Sequence, residues 1–165
     1  MKIVDLSLKV KEDGLDVVTT KCDPMNAVIP KIISDLDGIV FDVSGLSDEK
    51  ITENHIDLNK VEENSFIVFF TGYKEKTDFS PELSMTLLCE LIDRKVKAIG
   101  MDFPILQDYF ESPTKDLFSN SEIFFVENLD NLDRVLEVSD NFVASIYLEH
   151  NIEEDNTCRI VARAS

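Results

Sequence analysis

Two acids stand at the ends of mostly apolar runs. Asp102 follows Val96–Met101, and Glu127 follows Ile123–Val126. Such runs read as buried strands, and in α/β folds ligands gather at the carboxyl ends of parallel strands. A carboxylate there can accept hydrogen bonds, carry a proton or ligate a metal. The plainer readings are a solvated strand-end acid for Asp102 and, for Glu127, an acid suited to the start of a following helix. The only histidines, His55 and His150, lie far apart in polar segments and read as exposed. A catalytic zinc site needs three protein ligands and an open position, which two dispersed histidines do not suggest. Cys22, Cys89 and Cys158 are dispersed, with no Cys-x-x-Cys. They read as reduced thiols rather than a disulfide frame, with Cys89 a small core residue. No histidine is near Cys22 or Cys158 in sequence, so neither is assigned as a nucleophile. Asp35, Asp37 and Asp42 lack the spacing of a calcium hand. The glycines are not grouped, so there is no phosphate loop.

The elements that must position these residues centre on Phe66–Asp102. Phe66–Phe70 is a continuous apolar run and reads as a strand buried on both faces. Ser80-Pro81-Glu82 reads as a helix start. Leu83, Leu87, Leu88, Leu91 and Ile92 then share one helical face, and Arg94-Lys95 ends the helix. Val96–Met101 is a second strand. Strand, helix and strand make a βαβ unit with a right-handed crossover. Upstream, Ile3–Leu8 and Asp16–Thr20 read as strands, and Met25–Leu36 as a short helix around Pro30. Asp37-Gly38 reads as a turn and Gly38–Val43 as a strand. Ser47–Val61 reads as partly helical. Downstream, Ile105–Glu111 reads as a loop, Ser112-Pro113-Thr114 as a second helix start and Asn128–Val135 as one or two helical turns. Phe142–Leu148 and Cys158–Ala162 read as an antiparallel hairpin around His150–Asn156. The expectation is a single α/β domain over residues 1–165, with a mixed sheet and one dominant amphipathic helix, Ser80–Lys95.

The net charge of −17 argues against nucleic acid and anionic membranes as partners, since both need clustered Lys or Arg. No apolar run approaches the roughly 20 residues of a membrane helix. Asp5 interrupts the segment where a signal peptide would be apolar, so a cytoplasmic protein is expected.

Six segments, in order, resemble the cyclase family. They are Ile3–Ser7, Gly38–Val43, Ile51-Thr52 with Phe66–Tyr73, Val96–Asp102, Val126–Leu132 and Cys158–Ala162. This family of metal-dependent hydrolases includes bacterial kynurenine formamidase, an enzyme of tryptophan catabolism. The resemblance implies a swivelling β/β/α fold and a homodimer or higher homo-oligomer. It also implies arylformamidase-type hydrolysis of a C–N amide bond in a small molecule. The family holds its metal with the motif H-x-G-T-H-x-D-x-P between the first strand and the segment matched by Gly38–Val43. Between Leu8 and Gly38 this chain has no histidine.

The resemblance further implies that Lys115 stands where the family has a later histidine, and that Glu127 remains at a ligand-like position. Lys115 could pair with Glu127 or lie at the surface. Arg159 matches a family arginine and could hold a carboxylate by its planar fork, or make a structural ion pair. The ligand-binding candidates are thus Glu127, Lys115, Asp102 and Arg159, with Glu127 the one residual metal candidate. No cofactor is expected, with Zn or Mn only if the family reaction is kept. The alternative is a catalytically inactive family member that binds a ligand or a protein.

Overall fold

Five consecutive apolar residues, Phe66–Phe70, form a strand because the fold covers both of its faces. The computed structural model describes residues 1–7, 9–12, 16–23, 29–46, 49–73, 81–104, 114–118, 120–148 and 157–165. Its strands are β1 (Lys2–Asp5), β2 (Lys9–Glu12), β3 (Asp16–Thr19), β4 (Lys21–Asp23), β5 (Ile32–Asp42) and β6 (Phe66–Phe70). They continue with β7 (Ala98–Met101), β8 (Phe124–Glu127), β9 (Asn141–Leu148) and β10 (Cys158–Ala164). The helices are α1 (Met85–Asp93), α2 (Thr114–Leu117) and α3 (Leu132–Leu136).

Eight strands form one mixed sheet in the order β1-β10-β9-β5-β6-β7-β8-β4, and β2-β3 is a separate hairpin. β5 through β8 run parallel, while β5-β9, β9-β10, β10-β1 and β8-β4 are antiparallel. The sheet curls until its β4 edge returns to β10. There Lys21 bridges Thr157, and the Cys158 amide donates to the Thr20 carbonyl at 3.1 Å.

Alternation along the strands fills two cores. Phe66, Val68, Ala98 and Val126 point into the curl, where Leu36, Phe142, Ile160 and α3 residues join them. Ile67, Phe69, Ile99 and Phe125 point outward and are covered by Leu87, Leu88 and Leu91 of α1. The βαβ unit and the closing antiparallel hairpin are therefore as the sequence pattern indicates.

The differences have local causes. The dominant helix is Met85–Asp93, shorter than Ser80–Lys95. Its cap is Ser84, whose hydroxyl accepts from the Leu87 amide at 3.1 Å; Ser80 lies outside the described residues. Leu83 is instead extended, bridged to Ile51, with the Ile51 amide donating to the Glu82 carbonyl at 2.8 Å. That tertiary pairing takes the backbone groups a longer helix would have used. Ser84→Ala is expected to cost about 1 kcal/mol. The readout is a lower urea midpoint at unchanged slope, and an unmoved midpoint would deny the cap its role.

Ile32–Leu36, expected within a helix, belongs to the eleven-residue β5. Residues 25–28 of that expected helix lie outside the described residues. Asp37-Gly38 is strand interior, not a turn. The irregularity falls at the bulge between Ile33 and Leu36, with Asp35 at φ 54°. Gly38 sits directly opposite Phe142, and a Cβ there would run into the Phe142 ring. In Ser47–Val61 the described part forms two short 3-10 turns, Glu53–His55 and Leu58–Lys60. The expected Ile105–Glu111 loop, the Ser112-Pro113 helix start and the His150–Asn156 turn lie outside the described residues. Cys89, expected in the core, is exposed on α1.

Candidate functional site

β6 and β7 are adjacent and parallel, with Phe69 opposite Met101. The residues that follow them, Thr71-Gly72 and Asp102, are therefore neighbours at the carboxyl ends of the strands. Asp102 is 5% exposed and Thr71 fully buried. The Asp102 carboxylate accepts from the Thr71 hydroxyl at 2.6 Å and from the Gly72 amide at 2.9 Å. The Thr71 amide donates to both carboxylate oxygens at 3.1 Å. The Thr71 hydroxyl in turn accepts from the Tyr73 amide at 3.2 Å. Gly72 has φ 71°, a left-handed conformation that suits glycine. One carboxylate thus folds the end of β6 into a fixed turn. Burial pushes the Asp102 carboxyl above its ordinary value, while the bonds from Thr71 and Gly72 pull the other way.

This turn forms one side of a cavity of about 210 Å³, lined by Phe70, Gly72, Asp102 and the segment Leu129–Asp133. The opposite wall is pinned on three sides. The Leu129 amide donates to the Met101 carbonyl at 3.0 Å, and the Asp130 amide to the Leu6 carbonyl at 2.9 Å. The Thr20 hydroxyl donates to the Asn128 carbonyl at 2.7 Å. Asn128 and Asn131 take left-handed conformations, φ 58° and 60°, which asparagine tolerates. A larger hollow of about 290 Å³ lies at the other end of the parallel strands, near Gly38, Ser65 and Arg163. The strand-end cavity has the position where α/β sheets place ligands, and it holds the buried carboxylate.

The candidates from sequence separate. Asp102 lines the cavity, though it is a buried hydrogen-bonded group rather than a solvated acid. Glu127 ends the adjacent β8, half-buried and in register with Lys21 of β4. Lys115 lies on α2, and its pairing with Glu127 lies outside the described side chains. Arg159 is on β10, where its exposed guanidinium is 3.8 Å from the Asp5 carboxylate. That is the structural ion pair, at a surface where such pairs contribute little. His55 is half-buried, and its Nδ1 accepts from the Thr52 amide at 2.9 Å, capping a 3-10 turn. His150 lies outside the described residues. Leu129–Asp133, which forms the far wall, carries no residue that the sequence marks as a site candidate. Its signal was the pair of asparagines flanking Leu129 and Asp130.

A metal centre does not fit the described residues. Among the described residues no three His, Cys, Asp or Glu side chains converge as a ligand set. The Asp102 oxygens already face the Thr71 and Gly72 donors, and His55 is committed to its turn.

No protein-family model and no curated protein matches the chain in sequence. Solved structures do match it in shape. A potential metal-dependent hydrolase with cyclase activity superposes with a TM-score of 0.71 over 98% of both chains, at 15% identity. A predicted metal-dependent hydrolase from Bacillus stearothermophilus gives 0.66 over 98% of this chain and 97% of that one, at 14% identity. Isatin hydrolase A from Labrenzia aggregata, bound to benzyl benzoate, gives 0.67 over 99% and 93%, at 14% identity. The chain has, nearly end to end, the fold of these metal-dependent and isatin hydrolases and of the cyclases related to them.

Proposed function

We propose that this chain is a divergent cyclase-family protein that acts on the C–N bond of a small amide. The amide would be open-chain as in N-formylkynurenine, or cyclic as in isatin. The observation that carries this reading is the match of fold over 98% of this chain and of a potential metal-dependent hydrolase with cyclase activity. The strand-end cavity of about 210 Å³ is its ligand site, a volume suited to a compact molecule. Carboxylates of Asp130 and Asp133 on its lining favour a ligand that presents N–H donors, as an amide does. Within this site Asp102 acts as a positioning residue, holding the Thr71-Gly72 turn against the ligand. No hydrolytic step is assigned to a metal, because the described donors do not form a metal site.

A second reading is that the cavity binds such an amide without turnover. Both readings are tested on the purified full chain by metal analysis, by hydrolysis of N-formylkynurenine and isatin with and without added Zn or Mn, and by thermal shift with the same compounds. Turnover above the buffer rate supports the hydrolase. A thermal shift without turnover supports the binding protein. Neither response would overturn both.

A further inference from the structure

Cys22 and Cys158 are 136 positions apart, yet their Sγ atoms stand 2.7 Å apart in the interior. That is inside van der Waals contact for two sulfurs and short of the ~2.05 Å covalent bond by well under an ångström of movement. The contact is not an accident of two mobile side chains. Cys22 is fully buried and Cys158 is 5% exposed. Their backbones are held together at the seam of the curled sheet, by the Lys21–Thr157 bridge and the Cys158 amide bond to Thr20. The Cys158 thiol also points at the Thr20 carbonyl, at 3.9 Å.

We propose that Cys22 and Cys158 form a reversible intramolecular disulfide, under hydrogen peroxide, that locks the seam where the β4 edge meets β10. In the first step one thiolate attacks a peroxide oxygen. An S–O bond forms, the O–O bond breaks, and hydroxide leaves to become water. In the second step the other sulfur attacks the sulfenic sulfur. The S–S bond forms, the S–O bond breaks, and a second water leaves. The two sulfurs are oxidised, the two peroxide oxygens are reduced, and both thiol protons end in water. Burial excludes bulky reagents, so a small oxidant is required. The partner thiol already in contact captures the sulfenic acid before further oxidation. The seam also bears on the cavity, because Thr20, beside Cys22, supports the Asn128 end of its wall through a 2.7 Å bond. The inference does not depend on the function of that cavity.

The test uses the full chain carrying Cys89→Ser, which removes the exposed third thiol. Reduced protein is treated with hydrogen peroxide, quenched, denatured and alkylated. The expected product is a monomer about 2 Da lighter with no alkylatable thiol, and its digest contains the peptide pair joined through Cys22 and Cys158. Its melting temperature should fall by on the order of 10 °C when reductant is added, as for a bridge closing a long loop. Two thiols still open to alkylation, sulfinic acid as the main product, or dimers linked between chains would each overturn the proposal.

Discussion

Asp102→Ala loses about 3–5 kcal/mol of folding stability, a large part of the total for a chain of this size. The carboxylate is the common acceptor for the Thr71 amide, the Thr71 hydroxyl and the Gly72 amide. Alanine leaves all three donors without it, two of them on the fully buried Thr71. Asp102→Asn keeps the volume but turns an NH2 group toward one of the donors, so it falls between wild type and alanine. Burial holds the Asp102 carboxyl above its ordinary value of 3.8. Between that value and the raised one, the folded protein keeps a proton that the unfolded chain has released. The contribution from this ionisation is thus fully present below pH 3.8 and is lost as pH rises through the raised folded value. The stability of wild type relative to Asp102→Asn should fall across that window. Urea titrations of the three proteins from pH 3 to 8 measure both effects. A loss under about 1 kcal/mol for the alanine variant would show that the clamp is not structural.

Gly38→Ala is the second large effect, at about 1–3 kcal/mol. The added Cβ would occupy the Phe142 ring, which lies directly across the strand pair. The ring has little room to yield. It is 4% exposed and packs edge-on against Phe66, with centroids 5.9 Å apart. Pairing Gly38→Ala with Phe142→Leu removes the obstacle. The double variant should be at least about 1 kcal/mol more stable than the sum of the single losses. Additive losses would mean that the strand absorbs the methyl group elsewhere.

These two positions show what a linear reading could and could not reach. The core of the sheet was legible because both faces of β6 are covered, and a strand covered twice is written as an unbroken apolar run. The path of β5 was not. Its Asp35-Leu36-Asp37-Gly38 stretch has turn chemistry, and only the Phe142 ring across the sheet explains why glycine stands in a strand. The start of α1 was misplaced for a similar reason. Ser80-Pro81-Glu82 has the composition of a cap, but Glu82 to Ser84 are held extended by Ile51. At the site, Thr71-Gly72 and Asp102 were both legible as strand ends, and their contact follows once β6 and β7 are neighbours. Glu127 and Arg159 stand out in the sequence by matching a family pattern. The structure keeps Arg159 with Asp5 at the surface and sets Glu127 opposite Lys21. The Cys22–Cys158 contact could not be read at all, because it depends on how far the sheet curls.

The pairing of β1 with β10 sets the order of events in folding. Lys2 lies opposite Ala164 and Asp5 opposite Val161, so β1 cannot find its partner until the chain has been made as far as β10. The βαβ unit can assemble from local contacts while synthesis continues. The curled sheet cannot finish until β10 has been made. Closing so long a loop last makes the final step slow, and until then β1 presents an unpaired edge to other chains. The same join that completes the native sheet is therefore the interval in which a newborn chain is most exposed to aggregation.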